Sequence, residues 1–173
     1  MNRLHVYTGL GKGKTTAAIG LAVRSLGHGN RVLVGQFMKD GRSGELSALQ
    51  KCGALVYPCP PMEGFVCDMT EQERRRAVCA QEQYLQALRT KIREIRPQTI
   101  ILDELGVAAA MGMVPEEPVR VLIEEALLSG ETVVTGCWIP DWLLARADYI
   151  TRMQAERHPY ATEQLAARKG VEW

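Results

Sequence analysis

The chain has little net charge, few aromatic residues and no long apolar run. Its 21 lysines and arginines are balanced by 20 acidic residues, so charge gives no reason to expect a nucleic acid or a membrane surface as a partner. Aromatic residues make up 6% of the chain, and two of them are phenylalanine. No apolar run reaches the roughly 18 residues of a transmembrane helix, and none near the N-terminus resembles a secretory signal. We therefore expect a cytoplasmic protein.

The cysteines give no sign of a disulfide framework or a structural metal site. There are five of them, an odd number, and no C-x-x-C spacing occurs. Reduced thiols in a cytoplasmic protein are the simplest interpretation.

Short apolar runs alternate with longer stretches of helical periodicity. The pattern predicts strands at 4–7, 31–37, 54–57, 99–102, 132–135 and 149–153. It predicts helices at 15–26, 45–51, 71–96, 115–128 and 141–147, with a short helix near the end. The fourth run, Thr-Ile-Ile-Leu, is typical of a buried strand in a parallel sheet. Without an internal repeat or linker, residues 1–173 are predicted to form one α/β domain, a mostly parallel sheet with helices on both faces.

A glycine-rich loop between the first strand and the first helix is the strongest functional signal. Its residues are Gly9, Leu10, Gly11, Lys12, Gly13, Lys14, Thr15 and Thr16. Such glycines let successive backbone N–H groups point at one anion, and the helix N-terminus adds partial positive charge. Lys14 is predicted to reach phosphate oxygens and the Thr15 hydroxyl to bind Mg²⁺. The sequence thus predicts an MgATP site in a three-layer, P-loop NTPase-like (RecA-like) fold, although Thr8 stands where the strict motif has glycine. The alternative is a glycine-rich turn beside a lysine.

Polar residues follow two other predicted strands. Asp103 and Glu104 come directly after the fourth strand, where a carboxylate can hold Mg²⁺ or its waters. Either one can be the metal ligand, and capping of the next turn is the alternative. Gln36 and Lys39 lie at the end of the second strand, so we expect them to contact the nucleotide or its co-substrate.

Several strings along the chain resemble the P-loop type of ATP:corrinoid adenosyltransferases, which make adenosylcobalamin. The loop belongs to a string from Tyr7 to Ala18 that is similar to this family. The other matches, in chain order, are Gln36–Lys39, Leu102–Glu104, Thr135-Gly136, His158–Tyr160 and Ala167–Glu172.

The resemblance implies a reaction and its components. A cobalt(I) corrinoid attacks the 5′ carbon of ATP, which is bound in a reversed sense on the loop, and triphosphate leaves. It implies that Lys14 and Phe65 are catalytic. Lys14 would stabilise the leaving group, and Phe65, in the long loop after the third strand, would lie against the corrin and help to remove its axial ligand. It also implies Mg²⁺, a homodimer and an electron-donating reductase or flavoprotein.

Two cysteines stand where this family usually has other residues. Cys137 replaces an arginine expected to contact phosphate, and Arg42 and Arg152 are the candidates to substitute for it. Cys67 replaces a tryptophan near Phe65, and a thiol offers the corrin less apolar area than an indole does. This replacement points to weaker stabilisation of cobalt(II) or to a different corrinoid.

Two other functions remain compatible with the sequence. The loop and the acidic pair alone would equally permit a small kinase or ATPase, which would release ADP or phosphate instead of triphosphate. A non-catalytic carrier of ATP or of a corrinoid is the third hypothesis, because Cys137 and Cys67 depart from the family pattern.

Overall fold

The computed structural model describes residues 1–39, 43–57, 59–60 and 66–171, and its centre is a six-stranded parallel sheet. The strands are β1 Leu4–Thr8, β2 Val32–Gln36, β3 Leu55–Tyr57, β4 Thr99–Asp103, β5 Glu131–Thr135 and β6 Tyr149–Arg152. Their order across the sheet is β3-β2-β4-β5-β1-β6. All six predicted strands are confirmed within one or two residues at each end.

Helices fill the connections between the strands. They are α1 Lys14–Gly27, α2 Gly44–Lys51, α3 Glu71–Ile95, α4 Leu105–Ala110, α5 Glu116–Ser129, α6 Asp141–Arg146 and α7 Pro159–Glu163, with a 3-10 turn at Val66–Asp68. The sequence missed α4, which follows β4 after a single residue and consists of small and apolar residues without a capping side chain.

Both sides of the sheet are covered, because successive side chains of a strand point to opposite faces. Val32 and Val34 of β2 pack in one cluster with Ala18 and Ala22 of α1. Leu33, between them, belongs to a second cluster formed mainly with residues of α3 and α5. The predicted three-layer α/β fold is therefore confirmed.

The long helix α3 begins at the predicted capping box. The Thr70 hydroxyl accepts a hydrogen bond from the Glu73 backbone N–H, and the Glu73 carboxylate accepts one from the Thr70 backbone N–H. The helix ends after Ile95, where Arg96 adopts a left-handed conformation with φ of 49°. Within the described residues, no helix is long and apolar enough to cross a bilayer.

The register of the sheet brings the predicted site residues to one edge. Gln36 and Asp103 are paired at the carboxyl ends of β2 and β4. The glycine-rich loop leaves the carboxyl end of β1, which lies between β5 and β6. Because ligands of open α/β sheets bind outside the carboxyl ends of the strands, this edge is the candidate functional site.

Candidate functional site

The loop from Gly9 to Thr16 is packed against the segment that follows β6. Gly9 has a φ of 99°, and a Cβ there would collide with the carbonyl oxygen of Met153. A Cβ on Gly11 would lie 2.7 Å from the carbonyl carbon of Gln154. The Gly11 N–H donates a 2.9 Å hydrogen bond to the Met153 carbonyl. The glycines thus permit both the turn and the close approach of a second backbone segment.

Lys14 is folded over this loop. Its Nζ donates to the carbonyl oxygens of Gly9 at 2.7 Å and of Gly11 at 2.8 Å. Gly13, with a φ of 115°, precedes Lys14 and is the N-cap of α1. The ammonium group is therefore held by the loop that is expected to bind phosphate, where the N-terminus of α1 also favours an anion.

Asp103, at the end of β4, is the centre of the polar network. Its side chain is fully buried and accepts hydrogen bonds on both oxygens. Oδ1 accepts from the hydroxyls of Thr15 at 2.9 Å and Thr135 at 2.7 Å. Oδ2 accepts from Nε2 of Gln36 at 3.2 Å and from Nζ of Lys39 at 2.6 Å. Residues from the loop and from β2, β4 and β5 thus converge on one carboxylate, whose burial is compensated by these donors.

Lys39 is the cation that is paired with this carboxylate. Burial lowers its pKa, but the charge and hydrogen bond of Asp103 outweigh that effect and raise the pKa above its usual value. Glu45, on α2, accepts a 3.3 Å hydrogen bond from Gln36 and lies 4.0 Å from Nζ of Lys39. The backbone N–H of Gln36 donates a hydrogen bond to the hydroxyl oxygen of Tyr84, which helps to fix the position of Gln36.

Glu104 lies beside this network but has a different environment. It adopts a left-handed conformation with φ of 59° between β4 and α4, and its backbone N–H donates to the Thr135 hydroxyl at 2.9 Å. Burial and the neighbouring charge of Asp103 raise the pKa of the Glu104 carboxyl, while Lys39 and Lys14 act against this rise. The two adjacent acids are therefore not equivalent.

A cleft of about 620 Å³ opens beside the loop and the network. Its lining residues come from α1, from the surroundings of α2 and from the C-terminal segment: Thr15, Thr16, Ile19, Lys39, Ser43, Gly44, Glu45, Gly170 and Val171. Glu45, Gly170 and Val171 were not among the predicted site residues. For Gly170 and Val171 a signal was present in the string Ala167–Glu172, which resembles the family but had no role assigned to it.

The remaining residues that the sequence analysis singled out lie in different environments around the loop. Leu10 is exposed at 77%, at the tip of the loop. Arg152 is beside the loop, since its Cγ would lie 3.1 Å from a Cβ on Gly9. Cys137 is half-buried, and its carbonyl oxygen lies 3.5 Å from the hydroxyl of Thr8. Phe65 and Arg42 lie outside the described residues.

Comparison with known proteins gives one family. The family model described as ATP:corrinoid adenosyltransferase BtuR/CobO/CobP matches residues 1–173.

Curated relatives carry the same kind of name. The chain is 33% identical to a corrinoid adenosyltransferase of Sinorhizobium sp over 97% of this chain and 78% of the relative. It is 30% identical to one of Pseudomonas aeruginosa over 98% of this chain and 83% of the relative. It is 31% identical to one of Escherichia coli strain K12 over 90% of this chain and 78% of the relative.

Among solved structures, the flagellar accessory protein FlaH from Methanocaldococcus jannaschii is similar with a TM-score of 0.53. The match covers 87% of this chain and 70% of that chain at 14% identity, so it bears on the fold alone.

Proposed function

The chain belongs to the ATP:corrinoid adenosyltransferase family, and we propose that it transfers the 5′-deoxyadenosyl group of ATP to the cobalt of a reduced corrinoid. The electron pair of cobalt(I) forms a bond to the 5′ carbon, the bond between that carbon and its oxygen breaks, and triphosphate leaves. Since cobalt(I) is itself a strong nucleophile, the protein needs no general base. It must orient two large reactants and stabilise charge on the leaving group.

The family match over residues 1–173 carries this proposal, and the contact between the loop and Asp103 supports the nucleotide site that the reaction needs. The Thr15 hydroxyl, at the start of α1, lies 2.9 Å from Oδ1 of Asp103 at the end of β4. Beside it, Lys14 and the backbone N–H groups at the N-terminus of α1 offer donors for phosphate oxygens. We assign to Lys14 the stabilisation of the triphosphate as it departs, with Gly9–Thr16 as the binding loop.

The same contact supports a Mg²⁺ site. Mg²⁺ prefers oxygen ligands and is commonly held by one or two protein side chains together with substrate phosphates, and the Thr15 hydroxyl and Asp103 carboxylate fit that chemistry. We propose Asp103 rather than Glu104 as the principal ligand, because Asp103 already contacts Thr15 and the raised pKa of Glu104 disfavours its charged form. Bound there, Mg²⁺ would neutralise charge on the triphosphate.

Gln36, Lys39 and Phe65 are proposed to act on the substrates. Gln36 and Lys39 lie at the end of β2 around the Asp103 carboxylate, within reach of the cleft that Lys39 lines. Phe65 keeps the role that the family resemblance implies, contact with the corrin. Arg152, beside Gly9, is our candidate for the phosphate contact that Cys137 lacks.

We also propose a cytoplasmic homodimer that receives electrons from a reductase or flavoprotein. Cobalt(I) forms only under strongly reducing conditions, which favours a reducing compartment and an electron donor. The edge strand β6 supports a subunit contact, because Tyr149 and Ile150 on it are exposed at 54% and 50%.

The test mixes the purified protein with MgATP and a chemically reduced corrinoid without oxygen. We expect the absorption spectrum of a light-sensitive cobalt–carbon bond, with one triphosphate released per bond formed. Failure to form this bond would overturn the function, and release of ADP or phosphate would identify a kinase or ATPase instead.

Lys14→Ala tests the role of the loop in the same assay. We expect the ATP affinity to fall by at least about tenfold, since a hydrogen-bonded charge contributes about 1.5–3 kcal/mol. Lys91→Ala is the matched control, because Lys91 is exposed on α3 and paired with Glu94. An unchanged ATP affinity of Lys14→Ala would refute the assignment of the loop.

A further inference from the structure

Cys59 is a buried thiol in the stretch between β3 and the 3-10 turn, exposed at only 4%. Its Sγ accepts a 2.9 Å hydrogen bond from Nε2 of Gln81 on α3. The thiol in turn donates to the Pro60 carbonyl oxygen at 3.2 Å. Cys59 therefore joins the segment after β3 to the long helix.

The same sulfur contacts the turn that carries Lys39. Burial raises the pKa of the thiol, while hydrogen bonds from Gln81 and from the backbone N–H groups of Met38 and Lys39 act against this rise. Met38 has a φ of 57°, a left-handed conformation that is uncommon for a residue with a side chain and persists only where its surroundings fix it. Cys59 provides such a contact, because its sulfur meets the N–H groups on both sides of this conformation.

The position of Lys39 in the site depends on this turn. Its Nζ donates to Oδ2 of Asp103 at 2.6 Å. Just before the turn, the Phe37 N–H donates to the Asp103 carbonyl oxygen at 2.8 Å, and the Phe37 ring packs edge-on against Tyr84 with 5.0 Å between ring centroids. Residues 37–39 are thus held by β4, by α3 and, at the turn itself, by the sulfur of Cys59.

Gln81 is fully buried, yet only part of its hydrogen-bonding capacity is used. Nε2 donates to Cys59, whereas Oε1 has no hydrogen-bond partner among the described residues. A buried acceptor without a partner lowers the stability of a fold, and an apolar side chain of similar shape would avoid that cost. Because such groups are rare in native proteins, their presence calls for a role other than stability.

We propose that Cys59 and Gln81 are positioning residues for Lys39. Gln81 fixes the sulfur of Cys59, and the sulfur fixes the turn from which Lys39 reaches the nucleotide site. The inference rests on the proposed function, which assigns Lys39 to substrate binding, and it places that contact on ATP. Neither Cys59 nor Gln81 touches a substrate, so both act through the Lys39 ammonium group.

The first measurement is the ATP affinity of the full-length protein, by calorimetry in the presence of Mg²⁺. Gln81→Met removes the donor to Cys59 and keeps the length of the side chain, so we expect about fivefold weaker ATP binding, as for the loss of one neutral hydrogen bond. The Tm should be unchanged or higher, because the unpartnered Oε1 is removed as well. Gln83→Met is the matched control. Gln83 is exposed on α3 and donates to the exposed Cys79 at 3.5 Å, and its loss should change the ATP affinity less than about twofold.

A double-mutant cycle separates the positioning of Lys39 from a general structural role. Lys39→Met alone should weaken ATP binding by at least about tenfold, as for the loss of a charged contact. In the Lys39→Met background, Gln81→Met should change the affinity less than about twofold, because the group that it positions is absent. An unchanged affinity of Gln81→Met, or the same fivefold loss with and without Lys39, would refute the positioning role.

Substitutions of Cys59 test the same contact if Gln81→Met melts below the wild type. Cys59→Ser keeps an acceptor for the surrounding N–H donors and should stay within about twofold of the wild-type ATP affinity. Cys59→Ala has no acceptor and should show the fivefold loss. Equal ATP affinities of Cys59→Ser and Cys59→Ala would overturn the role of the sulfur.

Failure of this inference differs from failure of the proposed function. A wild-type protein that forms the cobalt–carbon bond, but whose ATP affinity is insensitive to Gln81 and Cys59, keeps the function and loses the positioning role. A wild-type protein that forms no such bond, yet binds ATP with coupling between Gln81 and Lys39, loses the function and keeps the positioning role.

Discussion

Asp103 is the residue at which the binding loop, the central strands and the cleft meet. Four side chains donate to its two oxygens, and one of the donors is the Thr15 hydroxyl of the loop. Glu104, its neighbour in sequence, shares the charge but not these contacts, and burial raises its pKa. Two adjacent carboxylates that the sequence could not tell apart therefore have different environments, Asp103 at the centre of the hydrogen-bond network and Glu104 beside it.

This difference predicts unequal effects of two isosteric substitutions. Asp103→Asn removes the charge that is paired with Lys39 and adjoins Thr15, so we expect the Mg²⁺-dependent part of the ATP affinity to fall by at least about tenfold. Glu104→Gln should lower this part of the ATP affinity by less than about threefold, because we expect the Glu104 carboxyl to contribute less to Mg²⁺ binding than the Asp103 carboxyl. Titration of ATP binding with and without Mg²⁺ measures the effect of both substitutions. A larger loss of affinity in Glu104→Gln than in Asp103→Asn would make Glu104 the principal Mg²⁺ ligand instead.

At the scale of elements, the sequence predicted what depends on local pattern. The strands follow from apolar runs, α3 follows from its capping box, and the loop follows from glycine spacing next to Lys14 and Thr15. The close packing of Gly9 and Gly11 on Met153 and Gln154 joins parts of the chain more than 140 residues apart, and no local pattern records it. Helix α4 was missed for a different reason, since its small apolar residues show neither a cap nor a polar face.

The packing of the loop on the segment after β6 predicts a strong effect of Gly9→Ala. The new Cβ would meet the Met153 carbonyl at a φ of 99°, so the loop must shift, and we expect the ATP affinity to drop by at least about tenfold. Gly20→Ala is the control within α1, because a Cβ there has no neighbour within 4 Å. That change should stabilise the helix by about 0.5–1 kcal/mol and leave ATP binding unchanged. Normal ATP binding by Gly9→Ala would show that the loop tolerates displacement.

The ion pairs between α3 and α5 predict a pH-dependent stability. Hydrogen bonds from Arg89, reinforced by Arg93, lower the pKa of Glu125 from 4.5 to about 2. Because the folded-state pKa is depressed, this stabilisation is complete above pH 4.5 and is lost as the pH falls towards 2. We expect Glu125→Gln to lower the Tm at neutral pH by about 2–4 °C, corresponding to about 1 kcal/mol.

Calorimetric melting of wild type and Glu125→Gln across this pH range measures the effect. The difference in Tm should shrink steadily as the pH is lowered from 4.5, while Glu94→Gln, at an exposed pair on α3, should show little difference at any pH. A difference in Tm between wild type and Glu125→Gln that does not change with pH would mean that Glu125 stabilises the fold through packing rather than through its charge.

At the scale of the whole molecule, the C-terminal segment lies outside the hydrophobic core but contributes to the cleft. Both hydrophobic clusters end by Ala147 among the described residues, and residues 154–157 and 159–171 are exposed. Yet this exposed C-terminal segment lines the cleft through Gly170 and Val171. The segment is exposed, but its position at the cleft supports the proposal that it takes part in binding.

Removal of the residues after Glu163 tests this division. Since none of the described residues after Glu163 belongs to the core, the shortened protein should fold normally, with a Tm within about 2 °C of the full chain and an unchanged far-ultraviolet circular dichroism spectrum. Its affinity for ATP should nevertheless fall by at least about tenfold, because the wall of the cleft that Gly170 and Val171 form is gone. Unaltered ATP binding would exclude the segment from the site, and a large drop in Tm would instead make it part of the folded core.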